Sequence, residues 1–156
     1  MEWKKLCARW EKRTDKNSDC AYMNVMRRII PYIVTLVVML MLDAIWLSLA
    51  SQAVYRAQLG DILIPGFRLL PALSFYLVYA FGIQIFAVAR ARSGKQALGL
   101  GAAFGVFAYA TYDLTNWATL RDWTFALSLT DICWGAVLTG AGALAGYAAK
   151  RVLPKT

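Results

Sequence analysis

The sequence predicts an all-α polytopic membrane protein: a four-transmembrane-helix antiparallel bundle with both termini cytoplasmic. Of its 156 residues, 60% are hydrophobic and only 17% charged. A soluble domain is roughly half apolar and about a quarter charged. Four stretches, Ile29 to Ala50, Leu69 to Ala89, Ala97 to Thr119 and Trp123 to Ala149, have the length a bilayer crossing requires, about 20 apolar residues each. The basic residues fall almost entirely on one side of these stretches, 14 against 3. That asymmetry follows the positive-inside rule and sets the orientation.

The division that follows is a basic cytoplasmic tail at 1–28, a transmembrane domain at 29–149 and a cytoplasmic C-terminal tail at 150–156. The chain between the spans is too short for a soluble domain. In the N-terminal tail, Trp3, Leu6, Cys7 and Trp10 recur at helical spacing among lysines and arginines. Two readings stand there: an amphipathic surface helix, or a natural start at Met23 or Met26, ahead of Arg27-Arg28.

The first apolar run follows Arg27-Arg28 and ends near a Ser48-Leu49-Ala50 sequence that resembles a cleavage site. It is longer than a signal core of about 7–15 residues and contains Asp43, so a retained span is expected. Its helix is expected to continue through Tyr55 and Leu59, with Gly60 as C-cap. Pro65-Gly66 marks a turn, and Pro71 suits the first turn of the second span. The loop near Arg92 to Lys95 is short, so spans two and three should form a hairpin. The loop around Leu120 to Asp122 is as tight and makes spans three and four neighbours.

Several function classes are excluded by composition. Histidine is absent, which removes the commonest general base, metal ligand and haem ligand. Cys7, Cys20 and Cys133 form no CxxC pair, so no zinc or disulfide framework is expected. No cofactor motif is present, and the expected cofactor set is none. The formal charge of +8 is a topology signal, and nucleic acid is not an expected partner.

Function concentrates instead in three aspartates inside the spans: Asp43, Asp113 and Asp131. Ionisable groups in hydrocarbon are costly and mark functional sites. Asp43 and Asp113 lie about 9 Å from the outer ends of their spans, and Asp131 roughly 12 Å from Trp123, at 1.5 Å of rise per residue. All three therefore share the outer half of the membrane. At 100° per residue, Gly101, Gly105, Ala108, Tyr109, Tyr112, Asp113, Thr115 and Asn116 lie on one side of span three. Leu100, Phe107, Leu114 and Trp117 lie on the other. In span four Ser128, Asp131, Gly135, Leu138, Gly142 and Gly146 cluster, with Val137, Gly140 and Leu144 opposite. The Gly101/Gly105 and Gly142/Gly146 spacings let helix backbones approach closely, so each aspartate sits on a packing face.

Trp46 follows Asp43 by three positions and Trp134 follows Asp131 by three. Tyr109, Asn116 and Trp117 lie three or four positions from Asp113, and indole, phenol and amide groups can all donate to a carboxylate. The candidate ligand- or proton-binding set is therefore Asp43, Trp46, Tyr109, Tyr112, Asp113, Asn116, Trp117, Asp131 and Trp134. Arg68 and Arg121 are weaker candidates for headgroup contact. No metal site is predicted, and a hard cation, if one binds, would use Asp43, Asp113 and Asp131. The bland alternative is that the aspartates only fasten helices together. Gln84 is expected to be a helix contact, Tyr76, Tyr79 and Phe81 to pack, and Trp123 to anchor at the interface.

The runs MLDAIWL (Met41 to Leu47), YATYDLTNWATLRDW (Tyr109 to Trp123) and TDICWG (Thr130 to Gly135) resemble domain-of-unknown-function family 2177, a group of predicted membrane proteins. The likeness runs from about Arg27 to the C-terminus. It implies the four-span architecture and the motif positions and supplies no mechanism.

Three functions stand. The leading one is an inner-membrane protein of a bacterial cell, multi-pass with both termini inside. Its aspartate pocket opens outward to bind or transport a polar or cationic small molecule, or a proton. A transport role with four spans implies a homodimer. The second is a membrane-embedded enzyme acting on a lipid or isoprenoid headgroup, with Asp113 and Asp131 as acid and base. The third is a structural or accessory subunit.

Overall fold

The computed structural model describes residues 3–50 and 68–153, the side chains of residues 3–21, 24 and 50 excepted. Four helices account for it: α1 (Trp3–Ala50), α2 (Leu69–Ile83), α3 (Gly94–Thr119) and α4 (Phe125–Val152). A π-helical turn, Gln84–Val88, prolongs α2. Each helix contains a segment long and apolar enough to cross a membrane. Apolar side chains also cover the outer surface, among them Ile33, Val37, Phe81, Phe107 and Val137. An apolar exterior on an apolar bundle is the pattern of a helix packed in lipid. The chain is a multi-pass membrane protein. The expected continuation through Tyr55 and Leu59, the Gly60 cap and the Pro65-Gly66 turn lie outside the described residues.

Each hairpin loop ends in a capped helix. Ser93 precedes α3 and its hydroxyl accepts from the Gln96 amide at 3.2 Å. Thr124 does the same for the Leu127 amide, also at 3.2 Å, at the start of α4. Such caps satisfy one of the amides that a helix start leaves unbonded. In α2, Pro71 falls in the first turn, where a missing N–H costs nothing.

Helix α4 is the centre of the bundle, packed on α3 along one flank and on α1 along another. Its small residues decide this. A Cβ at Gly101 would sit 2.6 Å from the Ala143 Cβ, and one at Gly105 would strike the Gly135 carbonyl. The other pair faces α1: a Cβ at Gly142 would lie 3.1 Å from Met39 Cγ, and one at Gly146 would meet the Thr35 hydroxyl. Gly140, expected on the outer side, is buried against Leu98 and Ala102 of α3. A helix with neighbours on two flanks has no single outward stripe, and the one-face reading of α4 fails there for that reason.

Polar ties fix the register between helices. Gln84 donates to the Thr35 hydroxyl at 2.9 Å, and Thr35 donates to the Gly142 carbonyl at 3.2 Å. Gln84 is thus the helix contact its position suggested. Tyr147 donates to the Arg92 carbonyl at 2.7 Å. Trp123 departs from expectation. It is 5% exposed, packs on Leu120 and Leu127, and donates its indole N–H to Ser128 at 3.0 Å. The α3–α4 turn folds it inward, where its N–H finds a partner within the chain instead of at an interface.

Candidate functional site

The three aspartates that fall within the apolar helices are buried. Asp113 is 0% exposed, Asp131 8% and Asp43 9%. They divide into a pair and a single. Asp113 on α3 and Asp131 on α4 lie within electrostatic reach of each other. Asp43 on α1 is held separately, by donors from two other helices. Tyr76 of α2 donates its hydroxyl to Oδ2, and Trp134 of α4 donates its indole N–H to Oδ1 at 3.2 Å. Trp134 follows Asp131 by three positions on one helix face, so it links the single carboxylate to the pair.

The stacking around Asp43 is tight. Trp46 lies flat on Trp134, with ring centroids 4.6 Å apart and planes 9° from parallel. The indole N–H of Trp46 is buried and has no hydrogen-bond partner. The spacing of Trp46 three residues after Asp43 therefore serves the stack, and the donors arrive from across the bundle.

Asp113 is the reverse case. Both of its carboxyl oxygens are buried and neither makes a hydrogen bond. Burying a polar group without a partner costs several kcal/mol in apolar surroundings, and a charge more. Ser128, one turn before Asp131, bonds the Asp113 backbone carbonyl at 3.4 Å instead of its side chain.

Asp131 also lines a cavity of about 460 Å³ between α2, α3 and α4, together with Phe75, Tyr79, Ala108, Tyr109 and Tyr112. Its walls are four aromatic rings and its charged group is one carboxylate. Tyr79 is fixed by a 2.9 Å hydrogen bond with Thr139, and its ring stands edge-on to Tyr109 at 6.2 Å. Tyr109 in turn covers the bare backbone of Gly135. Phe75 and Tyr112 are exposed and flank the mouth. Tyr112 also meets Trp123 edge-on at 5.7 Å.

The remaining expected residues take other places. Asn116 is half-buried, one turn beyond Asp113, and its carbonyl accepts the Leu120 amide at 2.7 Å. Trp117 is exposed and packs on Phe125, 5.4 Å between centroids, away from the cavity. Arg68 and Arg121 are exposed at the bundle end nearest the aspartates. Among the described residues, no group of three or more His, Cys, Asp and Glu side chains converges to hold a metal ion. Sequence reasoning missed Phe75, Tyr76 and Tyr79 of α2. The available signal was a pair of phenols three positions apart in an apolar span, each of which needs an acceptor in hydrocarbon.

A protein-family model described as "Predicted membrane protein (DUF2177)" matches residues 28–148. No curated protein and no solved structure matches the chain.

Proposed function

The chain belongs to the DUF2177 family of predicted membrane proteins, and from that premise we propose that it binds a small organic cation in the cavity beside Asp131. The observation that carries this reading is the make-up of the walls: four aromatic rings around one carboxylate, Asp131, with the unpartnered carboxyl of Asp113 within its electrostatic reach. A cation over aromatic faces gains from the ring quadrupoles, about 2 kcal/mol or more where water is excluded. It also supplies a positive group near the Asp113 carboxyl, whose oxygens have no hydrogen-bond partner. The volume of about 460 Å³ lies in the range of small-ligand sites, about 300–1,000 Å³.

The roles divide accordingly. Asp131 is the counter-charge at the cavity wall, Asp113 deepens the negative potential behind it, and Tyr79 and Tyr109 form the rigid floor. Phe75 and Tyr112 admit the ligand. Asp43, satisfied by Tyr76 and Trp134, braces the frame. The proposed setting is a bacterial inner membrane with both termini inside; the position of the cavity at the bundle end opposite Arg90, Arg92 and Lys150 supports an outward opening under the positive-inside rule. Movement of the cation across the membrane would require a second copy of the chain.

Binding of tetraethylammonium to the purified protein, read by tryptophan fluorescence, tests the proposal. Saturable binding that Asp131→Asn abolishes supports it. Equal binding by the wild-type and Asp131→Asn proteins overturns it.

A further inference from the structure

A cavity of about 730 Å³ lies at the opposite end of the bundle, between α1 and the π-helical end of α2. Its rim is cationic. Arg27 and Arg28 approach from α1 and Lys150 from the last turn of α4, and no carboxylate is among the described lining residues. Consecutive helical residues point about 100° apart, so a recess that takes both arginines wraps the flank of α1. The rest of the wall is apolar, with Ile29, Phe81 and Ile85 exposed along the membrane surface.

Three features make this a formed recess. The π turn at Gln84–Val88 widens the helix here, with the Ala89 amide bonding the Gln84 carbonyl at 2.8 Å. Such turns recur at functional sites. Lys150 is held in place by the Val88 and Ala89 carbonyls at 3.3 and 3.5 Å. Tyr32 closes the floor by donating to the Leu77 carbonyl at 3.1 Å.

A cationic rim at headgroup level above an apolar slot open to the bilayer is complementary to one kind of molecule. We propose that the recess binds an anionic phospholipid, its phosphate held by Arg27, Arg28 and Lys150 and an acyl chain lying on Ile29, Phe81 and Ile85. Basic pockets between membrane helices recognise such headgroups by the same chemistry. A soluble anion would gain from the rim alone and leave the apolar slot empty. The site is independent of the aspartate cavity, and its test does not involve a cation.

The full chain in mild detergent, given equal amounts of phosphatidylglycerol and phosphatidylcholine, is to be read by native mass spectrometry. Phosphatidylglycerol is expected to remain bound in preference to phosphatidylcholine. Arg28→Gln and Lys150→Gln should each lower that retention about fivefold, the factor corresponding to one basic residue at a lipid surface. Lys95→Gln, a charge at the same end but outside the recess, should leave it unchanged. Arg28 is exposed, so its variant decides the outcome even if Lys150→Gln fails to fold. Equal retention of the two lipids, an equal loss in Lys95→Gln, or displacement of phosphatidylglycerol by millimolar inorganic phosphate would each overturn the proposal.

Discussion

The indole N–H of Trp134 reaches across the bundle to Oδ1 of Asp43, 3.2 Å away. This bond joins α1 to the helix that carries Asp131, and Tyr76 brings α2 to the same carboxylate. A carboxylate accepting from two helices is a fastener, whereas Asp113, buried with no donor at all, fastens nothing.

Removing the fastener should destabilise the bundle. Asp43→Ala leaves the part-buried Tyr76 hydroxyl and Trp134 N–H without an acceptor, a loss of about 1–3 kcal/mol. Tyr76→Phe removes one bond and should cost about 1 kcal/mol. Unfolding of the purified protein by a denaturing detergent measures both, and the order Asp43→Ala worse than Tyr76→Phe is the expected result.

Asp113→Asn should behave differently. The substitution removes an ionisable carboxyl close to Asp131 and breaks no hydrogen bond of the carboxyl oxygens. Unfolding should therefore be unchanged or slightly harder, while cation affinity falls about tenfold or more as one of two carboxylates is neutralised. The same preparation provides both measurements.

The glycines offer a contrast within one helix. At Gly105 a Cβ would collide with the Gly135 carbonyl, and at Gly99 it would meet nothing within 4 Å. Gly105→Ala should destabilise by about 1–3 kcal/mol through overpacking. Gly99→Ala should be neutral or stabilise by up to about 1 kcal/mol, because alanine is the better helix former. Detergent-induced unfolding of the two variants separates these outcomes.

Much of this was legible in the sequence. Span length and apolarity located the four helices, since a bilayer imposes a length that composition reveals. The spacings Gly101/Gly105 and Gly142/Gly146 identified packing faces, and the aspartates marked on those faces are indeed buried. What a single helix cannot reveal is which neighbour supplies a partner. Trp46 and Asp43 share a face by spacing, yet the donors to Asp43 come from α2 and α4. Tyr79 read as packing because its role depends on Thr139, 60 positions away in sequence. Trp117 has the right spacing from Asp113 and points away, because adjoining positions on a helix surface still spread around its circumference.

The most direct measurement is the affinity of tetraethylammonium for the wild-type protein beside Asp131→Asn and Asp43→Asn, each checked for intact fold. Saturable binding by the wild-type protein, its loss in Asp131→Asn and its survival in Asp43→Asn, where the brace keeps an acceptor, are expected. Unchanged affinity in Asp131→Asn, or an absence of binding by the wild-type protein, would contradict the proposed cation site.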